Sequence, residues 1–363
     1  MTAASCPLGG GSHTDMRIVI VGATGNVGTS LVEALGTDDH DIVAVARRAP
    51  ANSVPGAEFV AADIASAELA PLFKGADAVV HLAWLIQPGR EESVTHRVNV
   101  QGSERLFRAV VEAKVPLLVY ASSVGAYSPG PKDRLVDESW PTEGIPSSFY
   151  SRHKAAVERI LDRLEHEHPE LRIARMRPAL IFKRAAATEI RRLFAGPLLP
   201  GSLLRPELIP FVPDVPRLRF QAVHSLDVGE AYRLALVSGV ARGAFNLAAD
   251  PPIGAPELAE LLQARRLRLP GGLLRGAAAA TYALRLQPSE PGWVDMALSV
   301  PLMDSGRART ELGWLPRTTS LDALRELLEG MRAGADAPTP PLAGDTTRPA
   351  RLREFLTGVG SRP

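Results

Sequence analysis

Cysteine is almost missing from this chain. Cys6 is the only one among 363 residues, which excludes an internal disulfide and a cysteine-based zinc site. An excess of either charge is missing too, since 41 basic and 40 acidic residues leave a formal net charge of +1. Such a balance creates no field to gather nucleic acid or anionic lipid. No apolar run reaches the ~18 residues of a membrane-spanning helix. The first residues show neither the basic region nor the apolar segment of a secretory signal. The expectation is a cytoplasmic protein with a small-molecule substrate, no nucleic-acid or membrane partner and no metal.

Lysine and tyrosine are also scarce. The lysines are Lys74, Lys114, Lys132, Lys154 and Lys183; the tyrosines are Tyr120, Tyr127, Tyr150, Tyr232 and Tyr282. Chance alone gives roughly 0.07 tyrosines followed by a lysine four places on, yet Tyr150 and Lys154 stand so. Four residues is about one helical turn, so phenol and ammonium project from one face. A lysine there can lower the phenol's pKa and make it a proton donor and acceptor near neutral pH. The Ser122-Ser123 pair upstream offers a hydroxyl to hold a carbonyl or alcohol oxygen. Together these groups suit hydride transfer at a carbon–oxygen bond.

What the chain has in quantity is alternation. Short β-branched runs at 17–21, 42–46, 59–61, 78–82, 117–121 and 172–176 are separated by helical stretches, among them 27–35, 94–113 and 149–166. This predicts an α/β fold: a Rossmann-type doubly wound parallel sheet with a smaller C-terminal substrate-binding subdomain. Residues 222–224 read as a seventh strand, followed by a helix near 227–236. The expected layout is a disordered tail over 1–15 and a dinucleotide-binding domain over 16–183 plus about 221–250. The smaller subdomain takes 184–220 and 251–333, and a loosely ordered tail 334–363.

Gly22, Gly25 and Gly28 follow the first strand and open a helix. In that context Gly22 permits the tight turn, Gly25 lets the backbone approach a pyrophosphate, and Gly28 allows close helix–strand packing. Thr24, Asn26 and Val27 belong to the same turn. The second strand ends Val45-Ala46-Arg47-Arg48, with no carboxylate to hold a ribose diol. Two guanidiniums suit a 2′-phosphate, which favours NADP(H) over NAD(H). The alternative is a pair of solvated charges with the ribose held by water. Asp63, followed by Ile64, is placed either to accept from an adenine amino group or to cap a turn.

These residues resemble the extended short-chain dehydrogenases/reductases, in their epimerase/dehydratase-like branch, over about residues 16–330. The likeness rests on the glycine turn, Asp63-Ile64, His81-Leu82-Ala83, Asn99-Val100-Gln101-Gly102 and the segment from Tyr120 to Tyr127. It continues through Tyr150 to Lys154, Arg177-Pro178, the run from Val223 to Val228 and Leu312-Gly313-Trp314. The resemblance implies that Tyr150 is the acid/base and that Lys154 lowers its pKa and holds a nicotinamide ribose. It implies Ser123 rather than Ser122 as the substrate-oxygen serine, four residues before Tyr127. Asn99 matches an asparagine that supports the lysine through water, and a plain helix asparagine is the other reading. Leu82 and Ala83 would line the adenine-ribose side, and Pro178 the nicotinamide. A homodimer through the helices at 94–113 and 149–166 is also implied. His81, His153 and His224 read as structural, and Tyr120 as packing at the sheet edge.

Three functions compete. The first is an NADP-dependent reductase or dehydrogenase of a mid-sized apolar ketone, aldehyde or secondary alcohol. The second is a nucleotide-sugar epimerase using the same Tyr150. The third is an NADP-binding regulator without chemistry, which the intact serine, tyrosine and lysine oppose. Against the second, Val124-Gly125 follow Ser123 where sugar-nucleotide dehydratases carry Asp-Glu, and Leu180 stands where an asparagine contacts substrate phosphate. Lys183 and Arg184 read as solvated charges. Leu193, Phe194, Leu198, Leu199, Leu203, Leu204, Ile209, Phe211 and Val212 make an apolar region. It serves either as a pocket wall or as the subdomain's own core. Trp84, Ser123, Val124 and Leu180 are the expected substrate-side residues.

Overall fold

A computed structural model describes residues 15–50, 52–54, 56–86, 91–194, 208–287 and 289–343. Seven parallel strands form the central sheet: β1 (Arg17–Val21), β2 (Asp41–Ala46), β3 (Ala57–Ala61), β4 (Ala78–His81), β5 (Leu117–Ala121), β6 (Arg172–Pro178) and β7 (Gly243–Leu247). Their spatial order is β7-β6-β5-β4-β1-β2-β3. The order reverses beside β1, so the crevice at the carboxyl ends of β1 and β4 is the place for a ligand.

Alternation along each strand splits the core in two. Ile18 and Ile20 of β1 pack with Leu31, Leu35, Tyr232, Phe245 and Trp314 on one face. Val19 and Val21 pack with Phe73, Leu106, Phe107, Leu161 and Ile173 on the other. Successive strand side chains point to opposite faces, so a strand buried on both sides reads as a continuous apolar run.

The seventh strand is not where the sequence suggests. Ala222–His224 pairs with Leu180–Phe182 in a separate two-stranded sheet, while Gly243–Leu247 joins β6 at the edge. Gly243-Ala-Phe-Asn-Leu carries no β-branched residue, so its local signal is weak. Tyr120 sits inside the sheet on β5, not at an edge. Part of the expected C-terminal tail is packed: Thr188 Oγ1 donates to Ala335 O at 2.8 Å, and Leu342 is fully buried. Residues 1–14 and 344–363, the rest of the expected tails, lie outside the described residues. No helix among the described residues is long and apolar enough to cross a membrane. None of their His, Cys, Asp and Glu side chains form a group of three or more able to hold a metal ion.

Candidate active site

The glycine turn is built by close approach. Gly22 has φ +97°, and a Cβ there would lie 2.6 Å from Ala83 N. A Cβ on Gly28 would lie 2.4 Å from Gly22 O. The helix Asn26–Leu35 begins at Gly25 with no side-chain cap. Its first amides therefore remain available to an anion. This cradle fits the diphosphate of a dinucleotide.

Arg47 and Arg48 leave β2 exposed on the cavity rim, and no ion pair or hydrogen bond among the described residues occupies them. Asp63 Oδ1 accepts from Ala65 N at 2.9 Å, so one oxygen caps the turn. Ile64 is buried beneath it.

The helix Phe149–Glu167 faces the end of β5. Three consecutive residues of that strand end meet three positions of the helix. Ala121 O accepts from Lys154 Nζ at 2.6 Å. Ser122 Oγ donates to Glu158 Oε1 at 2.5 Å. The Ser123 hydroxyl accepts from Gly125 N at 3.0 Å and acts on Tyr150 by lowering its pKa. Ser122 and Ser123 are thus divided by the alternation of an extended chain. Both line the cavity, but the Ser122 hydroxyl is held by a buried carboxylate.

Burial dominates the protonation of the pair. Tyr150 keeps some exposure on the cavity, yet crowding by protein raises its pKa to about 12, against a smaller lowering by the Ser123 hydroxyl. Burial pushes Lys154 well below the usual lysine range, and Glu158 partly restores it. The expected lowering of the phenol by Lys154 is absent. The ammonium stands 5.9 Å from the Tyr150 ring centroid, is turned toward Ala121 O, and lies 3.5 Å from the centroid of Trp84.

One cavity of about 330 Å³ collects nearly all the expected residues. Gly22, Thr24, Gly25, Asn26, Val27, Gly28, Arg47, Arg48, Asp63, Ile64, Leu82, Ala83 and Pro178 line it. So do Trp84, Ser123, Val124, Tyr150, Lys154 and Leu180. Asn99 does not. It lies in a π-helical turn, Arg97–Gln101. Its amide bonds one backbone on both sides: Oδ1 accepts from Leu85 N at 2.7 Å and Nδ2 donates to Leu85 O at 3.0 Å. It pins the loop after β4.

Lys183 is not a solvated charge, because its Nζ donates to Asn26 O, Thr29 Oγ1 and Ser30 Oγ at 2.8, 2.6 and 3.1 Å. Burial lowers its pKa to about 8. It ties the strand Leu180–Phe182 to the cofactor helix. His81 bonds Ser103 Oγ at 2.8 Å, and burial takes its pKa down to about 3. His153 lies 3.3 Å from Glu92, and His224 caps the helix Ser225–Val237 through Leu226 N. None of the three histidines lines the cavity.

Of the apolar region, Phe194 lines the cavity. Val212 is buried in a small sheet where Phe211 is exposed. Leu198, Leu199, Leu203 and Leu204 lie outside the described residues. Nothing in the local sequence points to Trp293, Met296, Pro340 or Pro341 at this cavity. Long-range folding brings them, and only the aromatic character of Trp293 hints at a role.

Residues 18–195 match the model of the NAD dependent epimerase/dehydratase family. An uncharacterized protein of Mycobacterium tuberculosis is 26% identical over 319 residues, which cover 87% of this chain and 30% of that protein; the chain thus spans about a third of that relative. The L-arabinose 1-dehydrogenase (NAD(P)(+)) of Haloferax volcanii is 35% identical over 108 residues, 30% of this chain and 41% of that protein. Among solved structures, UDP-glucose-4-epimerase from Stenotrophomonas maltophila with bound NAD and formylated UDP-arabinopyranose superposes with a TM-score of 0.65. It is 22% identical, over 88% of this chain and 98% of that one.

Proposed function

Residues 18–195 belong to the NAD dependent epimerase/dehydratase family, and from that premise we propose that the protein is a nicotinamide-dependent enzyme acting at a secondary alcohol carbon or the matching carbonyl. The observation that carries this is the convergence of Tyr150, Ser123 and Lys154 on the cavity that holds the glycine turn. Bound NAD(P) would supply a hydride donor and acceptor there. Tyr150 gives its proton to the substrate oxygen during reduction and takes one during oxidation. Ser123 holds that oxygen. Lys154 donates to Ala121 O and borders the same cavity, where it would meet a ribose hydroxyl.

The leading reading is an epimerase-type cycle, in which hydride leaves and returns within one turnover. It draws support from the family and from the S. maltophila epimerase fold. It moves ahead of the net ketone reductase that the apolar sequence around residues 193–212 suggests. Net oxidation or reduction stays second, favoured by the apolar lining of Leu180, Phe194 and Trp293 and by the partial likeness to a sugar dehydrogenase. The cofactor we propose is NADP(H), because Arg47 and Arg48 stand unpaired on the rim, although the solved S. maltophila epimerase has NAD bound.

The test is incubation of the protein with NADP(H) or NAD(H) and panels of sugars, UDP-sugars and ketones. The absorbance of reduced nicotinamide is followed beside chromatography of the products. Epimer formation without net cofactor change supports the first reading, and net cofactor conversion the second. Tight cofactor binding with no conversion of any compound would sink both.

A further inference from the structure

Tyr150 is walled by aromatic rings that the chemistry above does not use. Trp293 lies 5.1 Å from it, centroid to centroid, tilted by 35°. Trp84 meets it edge-on at 6.0 Å, and Phe194 meets Trp293 edge-on at 5.3 Å. Trp84 and Trp293 are only half-buried and Phe194 is exposed, and all three line the cavity. Rings that merely filled the core would be sealed on all sides. Trp84 Nε1 is buried with no hydrogen-bond partner among the described residues.

We propose that Trp84, Trp293 and Phe194 select a substrate whose reacting ring is neutral, with its flat C–H face on an indole while Ser123 and Tyr150 hold its reacting oxygen. The inference rests on the hydride-transfer reading and adds the substrate class to it. The face of an indole is electron-rich, so weakly positive C–H groups of a ring pack against it. Pyranoses and oxygenated carbocycles share this chemistry; an open chain presents no such face.

The test compares wild type with Trp293→Ala, Trp293→Phe and Trp84→Phe. The probes are cyclohexane-1,2-dione, butane-2,3-dione as its open-chain match, a free pyranose and UDP-glucose. Turnover is measured with NADPH for the two diones and with NADP+ for the pyranose and UDP-glucose, whose alcohol carbons must first give up a hydride, and binding by calorimetry in the presence of the same cofactor. The expected result is a KM or Kd for the ring compounds raised roughly tenfold or more in Trp293→Ala, with partial recovery in Trp293→Phe. The open-chain values and the affinity for NADPH stay unchanged. Whichever ring arm responds identifies the carrier: carbocycle, free sugar or nucleotide sugar. Equal effects on ring and open-chain compounds overturn the proposal, as does failure of every ring compound to bind. Ring binding that depends on Trp293 without any turnover would instead leave the substrate class standing and remove the hydride-transfer reading. Unchanged melting temperatures separate loss of the wall from loss of the fold.

Discussion

Ser122 donates its hydroxyl proton to Glu158 at 2.5 Å, and this bond fixes how the end of β5 sits against the helix Phe149–Glu167. Glu158 is completely buried. Its second oxygen accepts from Arg175 and Arg177, at 2.9 and 3.0 Å. Burial alone would raise its pKa, but Arg177, then Arg175 and Ser122, outweigh that and hold it at about 2.

Glu158 is therefore a carboxylate whose folded pKa lies below its unfolded value. Its contribution is complete above the unfolded pKa of 4.5 and is lost as pH falls toward 2. The shift corresponds to about 3 kcal/mol. Glu158→Ala, which leaves two buried guanidiniums without their partner, should cost about 3–5 kcal/mol. Ser122→Ala should cost about 1–3 kcal/mol. Urea unfolding at pH 7 and pH 4 checks both, and the penalty for Glu158→Ala should shrink at the lower pH. A penalty that does not change with pH would refute the assignment of this carboxylate as the acid-sensitive group.

Tyr150→Phe should lower turnover by about 10²–10⁴-fold while cofactor affinity changes little. The raised phenol pKa also sets a direction with pH. The reductive step needs the protonated phenol, so its rate should stay flat from neutral pH into the alkaline range. The oxidative step needs the phenolate, so it should climb with pH below about 12. Rates measured in both directions across pH 6–10 would show it, and a matching rise in both directions would contradict it.

Arg47→Ala should weaken NADPH by roughly ten- to a hundredfold, the usual worth of a charge-assisted hydrogen bond. NADH should be nearly unaffected. Calorimetric titration of both cofactors decides the point; equal losses would mean that the rim arginines do not read a 2′-phosphate.

Gly28→Ala should abolish dinucleotide binding while leaving much of the sheet intact. The new methyl meets Gly22 O and the Ala23 carbonyl group at 2.4–2.6 Å, so the helix must move away from the turn that forms the cradle. Circular dichroism beside cofactor titration checks this. Normal affinity in the variant would show that the close approach is dispensable.

The residues legible in the sequence are those whose work is local. β1 and β5 announce themselves by short apolar runs, the cofactor turn by glycine spacing, and Tyr150 and Lys154 by helical periodicity. Asn99 is legible but its partner is not, because its amide bonds Leu85, on a loop fourteen residues upstream that only the fold brings near. Lys183 looks like surface charge since nothing beside it in sequence reveals Thr29 and Ser30. Trp293 is 143 residues from Tyr150, and only the path of the C-terminal half sets the two rings together. Edge strand β7 is hidden because pairing to β6, not β propensity, makes Gly243–Leu247 a strand.

Two of the four tryptophans pack on Tyr150; Trp314 is sealed in the core against Asp227, and Trp140 packs with Arg134. The protein thereby carries its own optical probe. Emission from Trp84 and Trp293 overlaps the absorption of reduced nicotinamide, so quenching on mixing would time cofactor entry without any label. Single replacements at Trp84 and Trp293 would separate the signal of the lysine side from that of the substrate side.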